Sequence, residues 1–388
     1  MKHAEILHRC FRCGYCKLPS DYSDLNCPSY LTFRFETYSP GGRMWLLRAW
    51  LNHDIETSSR LAEIFFSCAA CGNCVEHCTF PDFKANLLEA FTAGREELVN
   101  EGAVPPAVRD YFKAMDLSGN PYKLPDTERE AWAKGLDVEP YTDQEYLFFV
   151  GSTGTFDEKG QKMTRAAARL LSGLGVSFGI LGTEERCDGN ETRSMGEVGL
   201  FEKLAQENIR KFKDLGISKI ITLSPHGYHA IKNEYPKLDG AFEVSHYSQI
   251  LSALMPEKIE YKNDDPLKIT FHDPCYLGRH NWEYQAPRTV LCSLPGVEFT
   301  EMNRIKADAL CCGGGGGNFF TDVIGSGSDS PARVRVREAA ETGASVLVVA
   351  CPKCGKMFEN AIKDEDMEDD LRVMDLAEIV QTRLGASG

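Results

Sequence analysis

Fifteen cysteines punctuate these 388 residues, and thirteen of them fall into spacings that suit metal ligation. Residues 10–16 read "CFRCGYC", followed by Cys27-Pro28, and residues 68–78 read "CAACGNCVEHC". A triplet C-x2-C-x2-C turns three soft thiolates toward one face of a 4Fe–4S cube, and in paired runs the fourth cysteine of each ligates the other cluster. That rule predicts one cubane on Cys10, Cys13, Cys16 and Cys78, and a second on Cys68, Cys71, Cys74 and Cys27. Zinc knuckles also use C-x2-C, but they need two pairs, and each triplet here leaves a thiolate over.

The first run departs from the usual spacing. Ten residues, "KLPSDYSDLN", separate Cys16 from Cys27 where three are customary, so that segment must loop out before Cys27-Pro28. Pro81, three residues after Cys78, is displaced from its customary place as well.

A second set lies far downstream: Cys275, then Cys311 and Cys312 in "CCGGGGG", then Cys351 and Cys354 in "CPKC". Five convergent thiolates exceed one tetrahedral zinc and suggest a cluster of several metals. The glycines match no phosphate-loop signature, because "GGGGGNFFTD" fits neither G-x-x-x-x-G-K-[ST] nor G-x-G-x-x-G. Gly313, Gly314 and Gly315 are read instead as room for a bulky cofactor, with amides left free to bond sulfur.

Positioning these groups requires elements that recur. "YLFFVGSTG" answers to "KITFHDPCYLG", "LGVSFGILGTEERCDG" to "LPGVEFTEMNRIKADALCCG", and "DLGISKIITLSPHGYHAIKNE" to "ETGASVLVVACPKCGKMFENA", at offsets of 123, 124 and 127 residues. Strand-like runs alternate with helical ones in both copies, which predicts α/β architecture with parallel sheets. In the first copy Ser152, Cys187-Asp188-Gly189 and Ser224-Pro-His-Gly227 stand at the ligand positions, so four of five thiols are gone. That copy is expected to be a structural half, packed on the other about a pseudo-twofold axis. Cys187 is read as an inert buried thiol, and Cys292 as core on the apolar face of a helix.

The expected organisation is a helical two-cluster module over 1–94, a linker with short helices over 95–140, a degenerate repeat over 141–262 and an intact repeat over 263–388. A net charge of −14 argues against a nucleic-acid surface. No apolar run reaches the roughly 18 residues that span a bilayer, and the start lacks a signal-peptide core. The acidic "IKDEDMEDD" reads as a solvated face. A cytoplasmic protein is expected, associated with membranes only through partner subunits.

The strings "FHDPCYLGRH", "YQAPRTVL", "LPGVEFTEM", "CCGGGGG" and "VVACPKCG" resemble the cysteine-rich CCG domain of heterodisulfide reductases and related oxidoreductase subunits. The fused ferredoxin module, with "SPGGRMWLL", is similar to that of the D-subunit family. The resemblance implies a noncubane 4Fe–4S cluster on Cys275, Cys311, Cys312, Cys351 and Cys354, beside the two cubanes. It further implies a redox subunit of a larger complex, supplied by a flavin or iron–sulfur donor, that reduces a disulfide or related small sulfur substrate. A subunit that only relays electrons, as in acyl-CoA reductase or hydroxy-acid oxidoreductase assemblies, is the alternative. For cleavage, Cys311 and Cys312 would shape the open iron positions. His272 would donate a proton to the leaving thiolate, or else only support the loop; Arg279, His280 and His226 are its expected neighbours.

Overall fold

The computed structural model describes residues 1–19, 24–258 and 261–384, so residues 20–23 of the expected loop between Cys16 and Cys27 lie outside the described residues. The first hundred residues are helical. Helix Pro40–Leu51 starts at Ser39, whose hydroxyl accepts from the Gly42 amide at 3.0 Å, and helix Ser59–Phe66 starts at Ser58, capped in the same way. Leu61, Ala62 and Phe65 fall on one face of the latter and close on Met44, Leu47 and Phe91. Helix Leu87–Asn100 runs unbroken across the expected module limit at residue 94, and helix Pro106–Ser118 follows within the expected linker.

Downstream, eight short strands build two sheets: β1 Tyr146–Phe149, β2 Phe178–Gly179, β3 Lys219–Thr222, β4 Glu243–His246, β5 Leu267–Phe271, β6 Val297–Phe299, β7 Val346–Val349 and β8 Arg372–Asp375. The orders are β2-β1-β3-β4 and β6-β5-β7-β8, with every pairing parallel. The two sheets therefore repeat one topology, as the duplicated sequence requires.

Strand alternation explains how the sheets pack. Phe148 of β1, Ile269 and Phe271 of β5, and Val346 and Val348 of β7 turn into one core common to both sheets. Leu147 and Phe149 face an outer core of the first half, while Leu347 and Val349 face the cysteines of the second. Each fully buried aliphatic or phenyl group contributes roughly 1.5–3 kcal/mol, so the shared core binds the halves firmly. Helix Glu158–Gly173 of the first half packs on Leu376–Leu384 of the second, and helix Tyr247–Lys258 packs on Gln285–Cys292. Lys159 reaches Glu378 at 3.1 Å, and the Tyr247 hydroxyl donates to Asp375 at 2.7 Å across the same seam. Among the described residues no helix is long and apolar enough to cross a membrane.

Candidate metal centres

Helix termini aim the first cysteines. Cys27 is the N-cap of helix Pro28–Phe33, with Pro28 at the first helical position where its missing N–H costs nothing. The N-terminus of helix Pro40–Leu51 approaches from another side, and its Gly41 amide donates to Cys16. A Cβ on Gly41 would stand 3.9 Å from the Cys10 sulfur, and one on Gly42 would collide with the Glu36 carbonyl at 1.9 Å, so the two glycines permit this approach. Cys10, Cys13 and Cys78 neighbour one another, as do Cys27, Cys68 and Cys71; Cys74 lies by Cys68 and Cys71, and Cys16 lies between the groups. Burial pushes the Cys27 thiol up, opposed by the charge of Arg43. Arg43 is itself fully buried and donates to Ile64 O, Tyr38 O and the Ser29 and Ser67 hydroxyls.

The second set converges at the carboxyl ends of β5 and β7, where α/β sites form. Cys275 follows β5, Cys311 and Cys312 end the loop after β6, and Cys351 is the N-cap of helix Pro352–Asp364. Cys351-Pro352 thus repeats the cap geometry of Cys27-Pro28. Sulfur separations are 3.7 Å for Cys311–Cys275 and 3.4 Å for Cys312–Cys354, and all five thiols are at most 5% exposed. All fifteen cysteines are free thiols.

Those donors fit a resident metal cluster, and the surrounding polar groups agree. His272 is fully buried, and its ligand nitrogen lies within 4.8 Å of the Cys312 and Cys354 sulfurs. Arg335 Nε donates to His272 Nδ1 at 3.4 Å, which fixes the proton on Nε2, and Nε2 has no acceptor among the described residues. Burial, reinforced by Arg335, brings the His272 imidazole down to about 3. It stands here as a neutral N–H donor.

The degenerate half also reaches the site. His226 hydrogen-bonds Cys351, while its Nδ1 lies 2.6 Å from Glu191. Glu191 in turn accepts from Lys353 Nζ and from the Gly317 amide, each at 2.6 Å. Burial opposes ionisation of Glu191, but Lys353 and His226 hold its carboxyl low. Burial likewise opposes the Cys351 thiolate, yet the hydrogen bonds from Cys354 and His226 bring it down to about 5. Cys187, at the vestigial position, is buried, and burial lifts its thiol to about 12.

The two cysteine sets meet. Cys71 lies beside Cys311 in one buried cluster, and the loop 68–72 that carries it is held from several sides. Arg95 donates to the Cys68 and Phe65 carbonyls, and to Ser194 of the first half. Arg279 donates to Cys71 O at 2.8 Å, and His280 Nε2 to Ala70 O at 2.9 Å. The glycine run closes the last side, because a Cβ at 315 would lie 2.4 Å from Ala69 O and one at 316 would lie 2.3 Å from Cys68 O. Gly313 and Gly314 face Pro331 and Met357. In this structure the run's tightest contacts are thus with backbone of the first cysteine module and, at Gly317, with Met195 of the first half.

Sequence reasoning singled out neither Glu191 nor Arg95, and no local pattern marks them. Arg43 carried a trace in the "PGGR" stretch. Cys292 departs from expectation: it ends its helix and is exposed.

Known proteins resemble this chain over both cysteine-bearing regions. A family model described as a cysteine-rich domain matches residues 146–232 and 269–359, and a 4Fe-4S dicluster domain matches 6–80. The D-subunit of the dihydromethanophenazine:CoB–CoM heterodisulfide reductase of Methanosarcina barkeri is 32% identical, covering 98% of this chain and 95% of that protein. The probable iron-sulfur-binding oxidoreductase FadF of Bacillus subtilis is 34% identical over 84% of this chain and 47% of its own length. The EtfAB:quinone oxidoreductase of Syntrophomonas wolfei is 33% identical over 82% of this chain and 46% of its own. The chain spans about half the length of those last two. Among solved structures, a hypothetical protein from Helicobacter pylori aligns over 100% of this chain and 74% of its own at TM-score 0.56 and 12% identity, a likeness of fold.

Proposed function

This chain belongs to the family of iron–sulfur oxidoreductases represented by the heterodisulfide reductase D-subunit, and on that premise we propose that it is an electron-relay component of a larger redox complex. The observation that carries the reading is the packing of Cys71 beside Cys311 and Cys275 in one buried cluster, in a centre whose five thiols are all buried. Two ligand sets in contact suit transfer between centres. Burial from solvent suits a relay better than an open catalytic pocket.

In this reading Cys10, Cys13, Cys16 and Cys78 hold one cubane, Cys68, Cys71, Cys74 and Cys27 the other, and Cys275, Cys311, Cys312, Cys351 and Cys354 a noncubane cluster. When bound, the clusters supply one-electron carriers. The chain's own groups do the rest. His272 offers its Nε2 proton as a hydrogen bond to sulfur, and Arg279 places a guanidinium beside Cys71, Cys275 and Cys311. Glu191 orients His226 against Cys351. Gly315 and Gly316 let the two centres approach, while Gly313 and Gly314 leave amides near the thiols.

The reciprocal packing of Glu158–Gly173 on Leu376–Leu384 and of Tyr247–Lys258 on Gln285–Cys292 supports a pseudo-twofold relation of the halves. We keep the four expected segments as the proposed domains, with helix Leu87–Asn100 bridging the first two. Electrons would come from a flavin-bearing or iron–sulfur partner, and membrane association would come through partner subunits. Reduction of a disulfide is the second reading, favoured by near full-length similarity to the heterodisulfide reductase D-subunit.

Anaerobic purification with iron and sulfide counting tests the assignment. About twelve irons per chain are expected, four for each of three clusters; about eight irons with zinc bound would sink the noncubane centre. EPR recorded with and without added disulfides separates the readings, because a substrate-induced change of the noncubane signal would favour the enzyme.

A further inference from the structure

The five thiols of the second set are buried, whereas Cys13 is exposed and Phe11 beside it is 72% exposed. A large apolar side chain left in water next to a cofactor ligand needs an explanation. Phe11 packs on Phe80 with ring centroids 5.2 Å apart, and the Phe80 amide donates to Cys78. The ring pair therefore lies at the edge of the Cys10, Cys13, Cys78 group.

Cations surround this edge. The Arg12 and Arg48 guanidinium carbons stand 4.5 Å and 5.0 Å from the centre of the Trp45 ring, and Trp45 Nε1 donates to Cys10 O at 3.1 Å. His8, Arg9 and Arg12 are exposed alongside. Glu5 lies by His3, and Lys17 is paired with Glu36 at 2.8 Å. From Lys2 to Lys17 the chain carries four basic side chains (Lys2, Arg9, Arg12, Lys17) against one acid (Glu5), a local balance of +3 in a molecule of −14. An apolar centre with a basic rim, at the exposed edge of a ligand set, has the make-up of an interaction surface.

We propose that this face, centred on Phe11 and rimmed by Arg9, Arg12 and Arg48, is the docking site for an electron-carrier protein with an acidic face. The inference rests on the cubane assignment above. Charge complementarity selects the occupant: in a molecule of −14 a basic patch is where an acidic protein is attracted, so encounter is steered there. In the docked pair the donor is oxidised by one electron and the iron held by Cys10, Cys13, Cys16 and Cys78 is reduced by one.

The test uses the full chain, purified anaerobically, with iron counted and the cubane EPR signals recorded first. Absence of those signals would refute the cluster reading itself, separately from the docking claim. Reduced flavodoxin, an acidic flavin protein, is then the donor in stopped flow, with dithionite as the small-molecule control. The expected second-order rate with flavodoxin falls as salt rises, and the Arg9→Glu, Arg12→Glu double variant slows it at least about tenfold at low salt. Reduction by dithionite, a small anion, slows far less than the flavodoxin reaction, and the variant keeps the wild-type iron content and cubane EPR signals, which shows that the cluster is intact. Phe11→Ala, at an exposed position, slows the flavodoxin reaction without altering its salt dependence. A flavodoxin rate within twofold of wild type in the charge-reversed variant would overturn the proposal. So would a rate that rises with salt, or a wild-type protein that dithionite reduces and flavodoxin does not.

Discussion

His272 is buried with its Nδ1 occupied by Arg335, so its Nε2–H is a donor without an acceptor among the described residues, on a ring that has a nitrogen within 4.8 Å of the Cys312 and Cys354 sulfurs. His226 and Glu191 supply a second fixed polarity from the opposite half. Hydrogen bonds and charge near a cluster set its potential. Glu191→Gln removes a buried negative charge and frees both Lys353 and His226. The midpoint potential of the noncubane centre, followed by EPR redox titration, should rise by about 60 mV or more, a tenfold change for one electron, while both cubane potentials stay put. An unchanged noncubane potential would reduce Glu191 to a structural role. In Cys312→Ser the noncubane signal is lost, iron falls by about four per chain, and the cubane signals remain. Retention of that signal would remove Cys312 from the ligand set.

At the scale of elements, the glycine run is a joint between modules. Gly316 has φ +60° and its absent Cβ would meet Cys68 O at 2.3 Å. Gly316→Ala should therefore cost roughly 1–3 kcal/mol and weaken the magnetic coupling between neighbouring clusters as the loop 68–72 is pushed away. Gly327→Ala, with nothing within 4 Å, serves as the neutral control in the same thermal melts. The joint also shows what a sequence can disclose. Cysteine spacing was readable because one cluster demands short, fixed intervals. The purpose of the glycines was not, because their neighbours are some 250 residues away in the chain. Arg279 grips Cys71 across 208 residues and Gly317 reaches Glu191 across 126, separations that leave no local periodicity. Cys292 misled for a related reason: helical spacing indicates a face, but the last residue of a helix has no following turn to cover it.

Beyond the helical module the molecule is two sheets that share a central core, and their repetition followed from alternating apolar runs at a near-constant offset. The strand lengths did not: Gly151, at φ +75°, turns the chain from β1 directly into a helix, so "GSTG" is helical rather than extended. The seam between halves contains one acid whose behaviour affects the entire fold. Burial lifts the Asp375 carboxyl to about 8, above its ordinary 3.8, despite the bond from Tyr247. A folded-state value above the unfolded one favours folding most strongly at low pH. That contribution is complete below about pH 4 and is lost as pH rises toward 8, at up to about 1.4 kcal/mol per unit. The difference in unfolding free energy between the wild type and Asp375→Asn should therefore fall steadily from pH 5 to 8. A flat difference would show that Asp375 ionises as it does in the unfolded chain.

The burial of Cys351 and its four companions beneath contacts from both halves and from the loop 68–72 also constrains biogenesis. Iron and sulfide are expected to arrive before the last seam shuts, since all five thiols are at most 5% exposed in the folded chain. Maturation is thus ordered in time. The ferredoxin module is made first, but the roof over its second cysteine run is completed only when Arg279, His280 and the glycines leave the ribosome. A chain halted before those residues would carry that run uncovered, open to oxygen.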